Sequence, residues 1–166
     1  SETKPSVLIV AAIPSVAALW LVPRLQSFLL EHPSLTVRVE HVLHEQEIDF
    51  SQVDFAITFS ASNTVRKLKG ATVSRLLPGT ACAVCSPTLA ADPTVQPPQP
   101  DAMQKFGLLH DTDYEGWTKW FQRAGLGDNA HLSRQVYSDF NLLRAATLAG
   151  HGVALCPRSL IEPDIA

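Results

Sequence analysis

The chain has 166 residues, 46% of them hydrophobic and 17% charged, with a formal net charge of −3. That length can bury a real core, as one domain or two small lobes. A mildly acidic chain with scattered Lys and Arg lacks the basic patch of a nucleic-acid interface, and 3 cysteines, an odd number, argue against a disulfide framework.

The first elements organise the rest. Val7 to Ala11 is an uninterrupted apolar run, the pattern of a strand buried on both faces of a parallel sheet. Pro14-Ser15 opens a helix, since proline is tolerated in a first turn and serine suits an N-cap or first-turn position. His32-Pro33-Ser34 stops it, because the residue before a proline is pushed out of the helical region. Leu35, Val37 and Val39 alternate with Thr36, Arg38 and Glu40, which reads as a half-covered strand. The result is a βαβ unit whose helix N-terminus lies beyond the carboxyl end of the first strand, where ligands of open α/β sheets sit.

That helix is apolar nearly all round, with Leu19, Trp20, Leu21, Val22, Leu25, Phe28, Leu29 and Leu30. Such a helix needs cover beyond its sheet-facing side, from its own domain or from another subunit. Pro23 is expected to kink it or loosen one turn. Pro23 and Arg24 also break the apolar run well short of the roughly 18–20 residues of a membrane span.

Val53 to Phe59 reads as a second buried strand, followed by the polar loop Ser60 to Asn63 and a basic stretch with Arg66, Lys67 and Lys69. Thr72 to Leu77 is expected to be a strand crossing to a second lobe, with a turn at Pro78-Gly79. Thr80 to Cys85 is a further strand, and Ser86-Pro87 caps a short helix. Cys82 and Cys85 form a C-x-x-C, but residues three apart on a strand face opposite ways and no second Cys/His pair stands at zinc spacing. They read as buried strand cysteines.

Asp92 to Pro100 is a proline-rich exposed connection, and Asp101 to Phe106 a short helix. Leu108-Leu109 is a buried strand ending at His110-Asp111. Trp117, Trp120, Phe121 and Ala124 give one face of a helix that stops at Gly125. Leu132 to Tyr137 is a strand, Ser138-Asp139 caps a helix through Gly150, Gly152 to Cys156 is a last buried strand, and Pro157 opens a short helix.

The class is therefore α/β. Polar residues meet strand ends at Pro14-Ser15, Ser60, His110-Asp111 and Ser138-Asp139. They would converge if two lobes faced each other.

The text IPSVAALWLVPRLQSFLLEHP, followed by VDFAITF, AVCSPTLAA, LLHD with W-x-x-W, and YSDFNLLRAATLAGHGVALCP, resembles the effector-binding domain of LysR-type transcriptional regulators. The branch it resembles includes the glycine-cleavage activator and the β-lactamase regulators. The resemblance implies a two-lobed, periplasmic-binding-protein-like (type 2) fold, each lobe a mainly parallel sheet flanked by helices. Lobe one would span residues 1–71, with the crossover and lobe two in 72–166. It implies an effector between the lobes, contacted by Pro14, Ser15, Ser60, His110, Asp111, Ser138, Asp139 and Phe140. It also implies a homodimer, tetrameric in the full-length protein, in which the first helix packs antiparallel on a partner through Leu19, Val22, Leu25, Phe28 and Leu29.

The sequence departs from the family pattern at Thr58-Phe59-Ser60, where arginine and then tyrosine-glycine are usual, so a basic ligand or switch residue is missing there. The chain opens Ser-Glu-Thr-Lys without a methionine and is expected to be a fragment. DNA contact is expected only through the family's N-terminal winged helix-turn-helix, absent from these residues. The C-terminal return into lobe one is expected to be missing after Ala166.

The implied mechanism is cytoplasmic ligand sensing without chemistry, cofactor or metal. A small metabolite, carboxylate or amino-acid-like, shifts the populations of lobe or subunit arrangements. The alternatives are a transporter's solute-binding protein, which has the same fold logic, and a hydrolase built on Ser15, His110 and Asp111. No G-x-S-x-G elbow supports the latter, and adjacent His-Asp cannot readily serve as base and orienter.

Overall fold

The apolar run after Ser6 becomes the middle strand of a sheet. In the computed structural model, which describes residues 6–60, 67–91, 100, 103–112, 114–127 and 135–165, β1 (Ser6–Ala12) pairs in parallel with β2 (Leu35–His41) and β3 (Phe55–Ile57), in the order β2-β1-β3. Val7 at the open end of β1 is exposed, whereas Val10, Ala11 and Ala12 are buried. On β2, Leu35, Val37 and Val39 are half-buried and the residues between them exposed, the expected alternation.

The helix between β1 and β2 is interrupted where proline requires it. It begins as α1 (Pro14–Val16), widens into a π turn over Ala17–Leu21 and resumes as α2 (Val22–Glu31). Pro23 has no N–H for the carbonyl four residues back, and its ring would clash there. The turn before it is wider: the Val22 N–H donates to the Ala17 carbonyl, five residues away. The Arg24 guanidinium donates to the Trp20 carbonyl at 2.9 Å and lies 5.0 Å from the centre of the Trp20 ring. The loosened turn expected from Pro23 is this π turn. The helix ends at Glu31, with His32 (φ −128°, ψ 64°) already outside the helical region and Pro33 following.

Two strand expectations are corrected. Val53 to Phe59 yields only the short β3, and it is not buried: Phe55 is 59% and Phe59 67% exposed. β3 lies at the edge of its sheet, where apolar composition alone supplies no cover. It is held to β1 by Asp54, whose carboxylate accepts from the Ile9 N–H at 2.7 Å while its own N–H donates to the Ile9 carbonyl at 2.9 Å. Thr72 to Leu77 is not a strand; residues 72–76 are exposed, without regular structure, and belong to no ladder.

The second sheet has the order β4-β7-β5-β6. β5 (Leu108–Asp111) is parallel to β6 (Gln135–Tyr137) and β7 (Val153–Pro157), and β4 (Ala81–Val84) is antiparallel to β7. Pro157 is tolerated on β7 because of its register. The Arg158 N–H donates to the Thr80 carbonyl at 2.9 Å, and bonded and non-bonded pairs alternate along an antiparallel ladder. Pro157, opposite Ala81, therefore falls on a pair that needs no N–H.

The core of this sheet's helical side is aromatic. α4 (Glu115–Arg123) buries Trp117 and Phe121 with Met103, Leu108 and Val153, and half-buries Trp120; Ala124, expected on the same face, is exposed. The Trp117 indole N–H donates to the Leu109 carbonyl at 2.9 Å, giving the one polar atom of a buried ring a partner. Gly125, at φ +74°, ends the helix as expected. Ser86 caps α3 (Pro87–Ala90) by accepting from the Leu89 N–H at 3.2 Å. α5 (Phe140–Leu148) buries Phe140, Leu143, Ala146 and Thr147, leaving Leu142 and Leu148 exposed. α6 (Arg158–Ile161) follows β7. Met103–Phe106 is a 3-10 turn within the expected short helix, whose first residues lie outside the described set, as do Asp92–Gln99, Arg66, and Leu132–Arg134 of the expected strand.

The backbone separates into two compact units, Ser1–Gly79 with Glu162–Ala166, and Thr80–Ile161. Among the described residues no helix is long and apolar enough to cross a membrane, and no group of three or more His, Cys, Asp or Glu could hold a metal ion.

Candidate functional site

In the first unit three parallel strands end at one level, and backbone bonds fix that level. The Ile13 N–H donates to the Ile57 carbonyl at 3.2 Å, and the Val42 N–H to the Ala12 carbonyl at 3.1 Å. Ile13, with extended dihedrals (φ −61°, ψ 141°), is the helix N-cap, and Pro14 is the first helical residue. Ser15, expected as cap or first-turn residue, is in the first turn. It is only 6% exposed, and its hydroxyl makes no hydrogen bond among the described residues. Beyond the strand ends is a cleft of about 360 Å³, lined by Ile13, Leu43, His44, Glu45, Gln46, Thr58, Phe59 and Ser60.

The loop that contributes Leu43 to Gln46 is shaped by Glu47. Its carboxylate accepts from the Leu43 N–H at 3.1 Å and the His44 N–H at 3.4 Å. A few residues on, the Asp49 carboxyl is held below its ordinary range by the Ser51 hydroxyl and N–H, at 2.6 and 2.9 Å. The lining carries a carboxylate, an amide, an imidazole and two hydroxyls against apolar Ile13, Leu43 and Phe59. Sequence reasoning named Ser60 of this set and placed Pro14-Ser15 beside it. It missed His44, Glu45 and Gln46, because the relevant signal was the polar run after β2 combined with the parallel order of β2 and β1.

In the second unit the named residues also share an edge. β5 and β6 end side by side, with Asp111 opposite Tyr137 in the ladder. His110 is 1% exposed, its ring edge-on to Tyr114 at 4.5 Å between centroids. Asp111 is exposed, and its carboxylate accepts from the Thr112 hydroxyl at 3.2 Å. Thr112 has φ +63°, a left-handed conformation that a β-branched residue rarely adopts, and its N–H donates to the Tyr137 carbonyl at 2.6 Å. Ser138 follows β6 and is exposed. Asp139, rather than Ser138, caps α5, its carboxylate accepting from the Asn141 N–H at 2.8 Å. Phe140 is buried at the helix start. The named residues thus form two groups, Pro14, Ser15 and Ser60 in one unit and His110 to Phe140 in the other.

The first helix presents apolar surface. Val22 is 54% and Phe28 37% exposed, Leu19, Leu25 and Leu29 are half-buried, and no residue of α2 is fully buried.

Comparison with known proteins gives this arrangement a family. The sequence profile of the LysR substrate-binding domain matches residues 2–166. The chain belongs to that family. The LysR domain is 31% identical over 160 residues to the glycine cleavage system transcriptional activator of Escherichia coli K12, covering 95% of this chain and 50% of that protein. It is 30% identical over 161 residues to the HTH-type transcriptional activator AmpR of Pseudomonas aeruginosa, covering 96% and 52%. The domain therefore spans about half the length of these curated relatives. Its fold matches the effector domain of Pseudomonas aeruginosa AmpR with a TM-score of 0.73 at 25% identity, over 97% of this chain and 74% of that one. The CrgA regulatory domain of Neisseria meningitidis, at 18% identity and TM-score 0.75 over 96% and 76%, shares the fold. The two-lobed, type 2 periplasmic-binding-protein-like class is thus the class of this LysR domain.

Proposed function

We propose that this domain senses a small metabolite on behalf of a longer transcriptional regulator, without performing chemistry on it. The observation that carries the reading is the cleft at the carboxyl ends of β1 and β3. Its hydroxyls, amide and carboxylate offer several hydrogen-bonding groups to a small polar ligand. Ile13, which lines it, begins a helix whose first turn has N–H groups at Ser15 and Val16 without intrahelical partners and carries the positive end of the helix dipole. That combination suits a carboxylate or amino-acid-like effector. The family resemblance, rather than the geometry, extends the effector site to His110, Asp111, Ser138, Asp139 and Phe140.

The exposed apolar flank of the first helix, with Leu19, Val22, Leu25, Phe28 and Leu29, is assigned to pairing with a second copy, as a homodimer and, in the full-length protein, a tetramer. DNA contact belongs to a winged helix-turn-helix elsewhere in that protein, and a regulator of this kind works in the cytoplasm. Bound effector acts through its different affinities for the alternative arrangements. The regulatory names of the relatives support this reading over transport and over catalysis.

The test is calorimetric titration of wild type and Ser15→Phe with small carboxylates and amino acids. A bulky ring at this packed first turn is expected to weaken binding by roughly tenfold or more. Unchanged affinity would remove Ser15 from the site.

A further inference from the structure

The three cysteines are placed differently. Cys85 follows the end of β4, whereas Cys82 lies within it and stands directly opposite Cys156 of β7. Directly opposed residues of an antiparallel pair project to the same face of the sheet. The Cys82 sulfur lies 3.8 Å from the Cys156 carbonyl oxygen, and none of the three cysteines is in a disulfide. The location is also particular. β4 begins at Ala81, beside the Gly79–Thr80 boundary where the chain enters the second unit, and β7 ends at Pro157, shortly before it leaves at Ile161–Glu162.

We propose that Cys82 and Cys156 are a redox pair that a peroxide closes into a reversible cross-strand disulfide, tying together the entry and exit strands of the second unit. The ladder sets the geometry. Thr80 with Arg158 is a hydrogen-bonded pair, so Cys82 with Cys156, two residues along, is another. Their Cα atoms at such a pair are about 5.5 Å apart, inside the span a disulfide bridges. The Cβ separation of about 5.5 Å at such pairs exceeds the disulfide value of about 3.8 Å. Closure must therefore draw β4 toward β7. β4 can yield because among the described residues it is an edge strand, with a ladder on one side only. A disulfide formed under that strain is readily reduced, which suits a reversible link better than a permanent one.

The chemistry balances with hydrogen peroxide as oxidant. The thiolate of half-exposed Cys82 attacks one peroxide oxygen, the O–O bond breaks, and the departing hydroxide takes up a proton as water. The sulfenic acid at Cys82 is then attacked by the Cys156 sulfur. The S–O bond breaks, and the hydroxyl leaves as water with the proton from Cys156. Two thiols and one peroxide become one disulfide and two waters. Cys85 serves as an internal control: its thiol is pushed up by burial, and it lies beyond the end of β4, packed against the aromatic cluster around Trp117 and Phe121.

The experiment treats the purified protein with hydrogen peroxide, blocks remaining thiols under denaturing conditions and measures intact mass and non-reduced peptides. The expected result is one blocking group per chain where the untreated protein, with its 3 cysteines, takes one on each, a peptide pair joining Cys82 to Cys156, and recovery of both thiols with dilute dithiothreitol. Cys82→Ser should abolish the link and Cys85→Ser should keep it. The wild-type peptide map stands even where a variant folds poorly. The proposal is overturned by a link that uses Cys85, by a link between two chains, or by oxygen adducts on Cys82 with no link at all.

Discussion

Gly152 and Gly107 touch backbone to backbone: a Cβ placed on Gly152 would meet the Gly107 carbonyl oxygen at 2.3 Å. The same oxygen accepts the Val153 N–H at 2.9 Å, and Gly107 itself has φ +73°. The approach sets β7 against the start of β5, so neither backbone can retreat without breaking the junction that begins their parallel ladder. Gly152→Ala is expected to destabilise the domain by roughly 3 kcal/mol, the upper range for overpacking. Urea unfolding checks this, and a loss within about 0.5 kcal/mol, the range of inert surface changes, would show that the junction can yield.

Trp117 joins the aromatic cluster to β5 through one hydrogen bond. Its ring lies 5.4 Å from Trp120 and 5.7 Å from Phe121, centroid to centroid, and its N–H donates to the Leu109 carbonyl. Trp117→Phe retains an aromatic ring but loses the donor and some volume, so about 1–3 kcal/mol should be lost. Thermal unfolding of the pair measures it. Equal stability would mean that the bond contributes nothing net.

Glu115 provides a prediction with a definite pH sign. Its carboxyl is held below the usual range by a hydrogen bond at 2.5 Å from the Lys119 ammonium, and then by that group's charge. A carboxyl depressed on folding contributes stability that is present above its unfolded value and lost as pH falls through its folded value. Wild type should therefore exceed Glu115→Gln slightly at about pH 7, and the gap should shrink as the pH is lowered through the acid range. Both side chains are exposed, so salt should shrink the gap as well. Melting curves across that range decide it; a gap independent of pH would assign the difference to helix propensity or packing.

What could be read from the sequence was governed by near neighbours along the chain. Proline at 33 after His32 ends a helix, serine at 86 caps one and Pro23 loosens one, because each acts on residues within a turn of itself. The Trp117 and Phe121 spacing likewise needs only helical period to specify a buried face. The misreadings depend on distant partners. Phe55 belongs to a strand whose neighbour on one side is β1 and whose other edge pairs with no strand among the described residues, and Thr72 to Leu77 has strand composition without a ladder to join. The candidate site divides in the same way. That Ser15 and Ser60 follow strand ends is legible from their own neighbours along the chain, and of the two Ser60 lines the cleft. His44, Glu45 and Gln46 reach the cleft through the β1–β2 register, and the left-handed Thr112 is fixed by a bond to Tyr137, a residue far along the chain.

The most direct test of ligand sensing is native mass spectrometry of this chain, alone and with a panel of small carboxylates and amino acids. The account predicts a dimer in which each chain retains a compound from the panel and releases it chemically unchanged. A chain that retains no compound, or one that returns a compound altered, would contradict it.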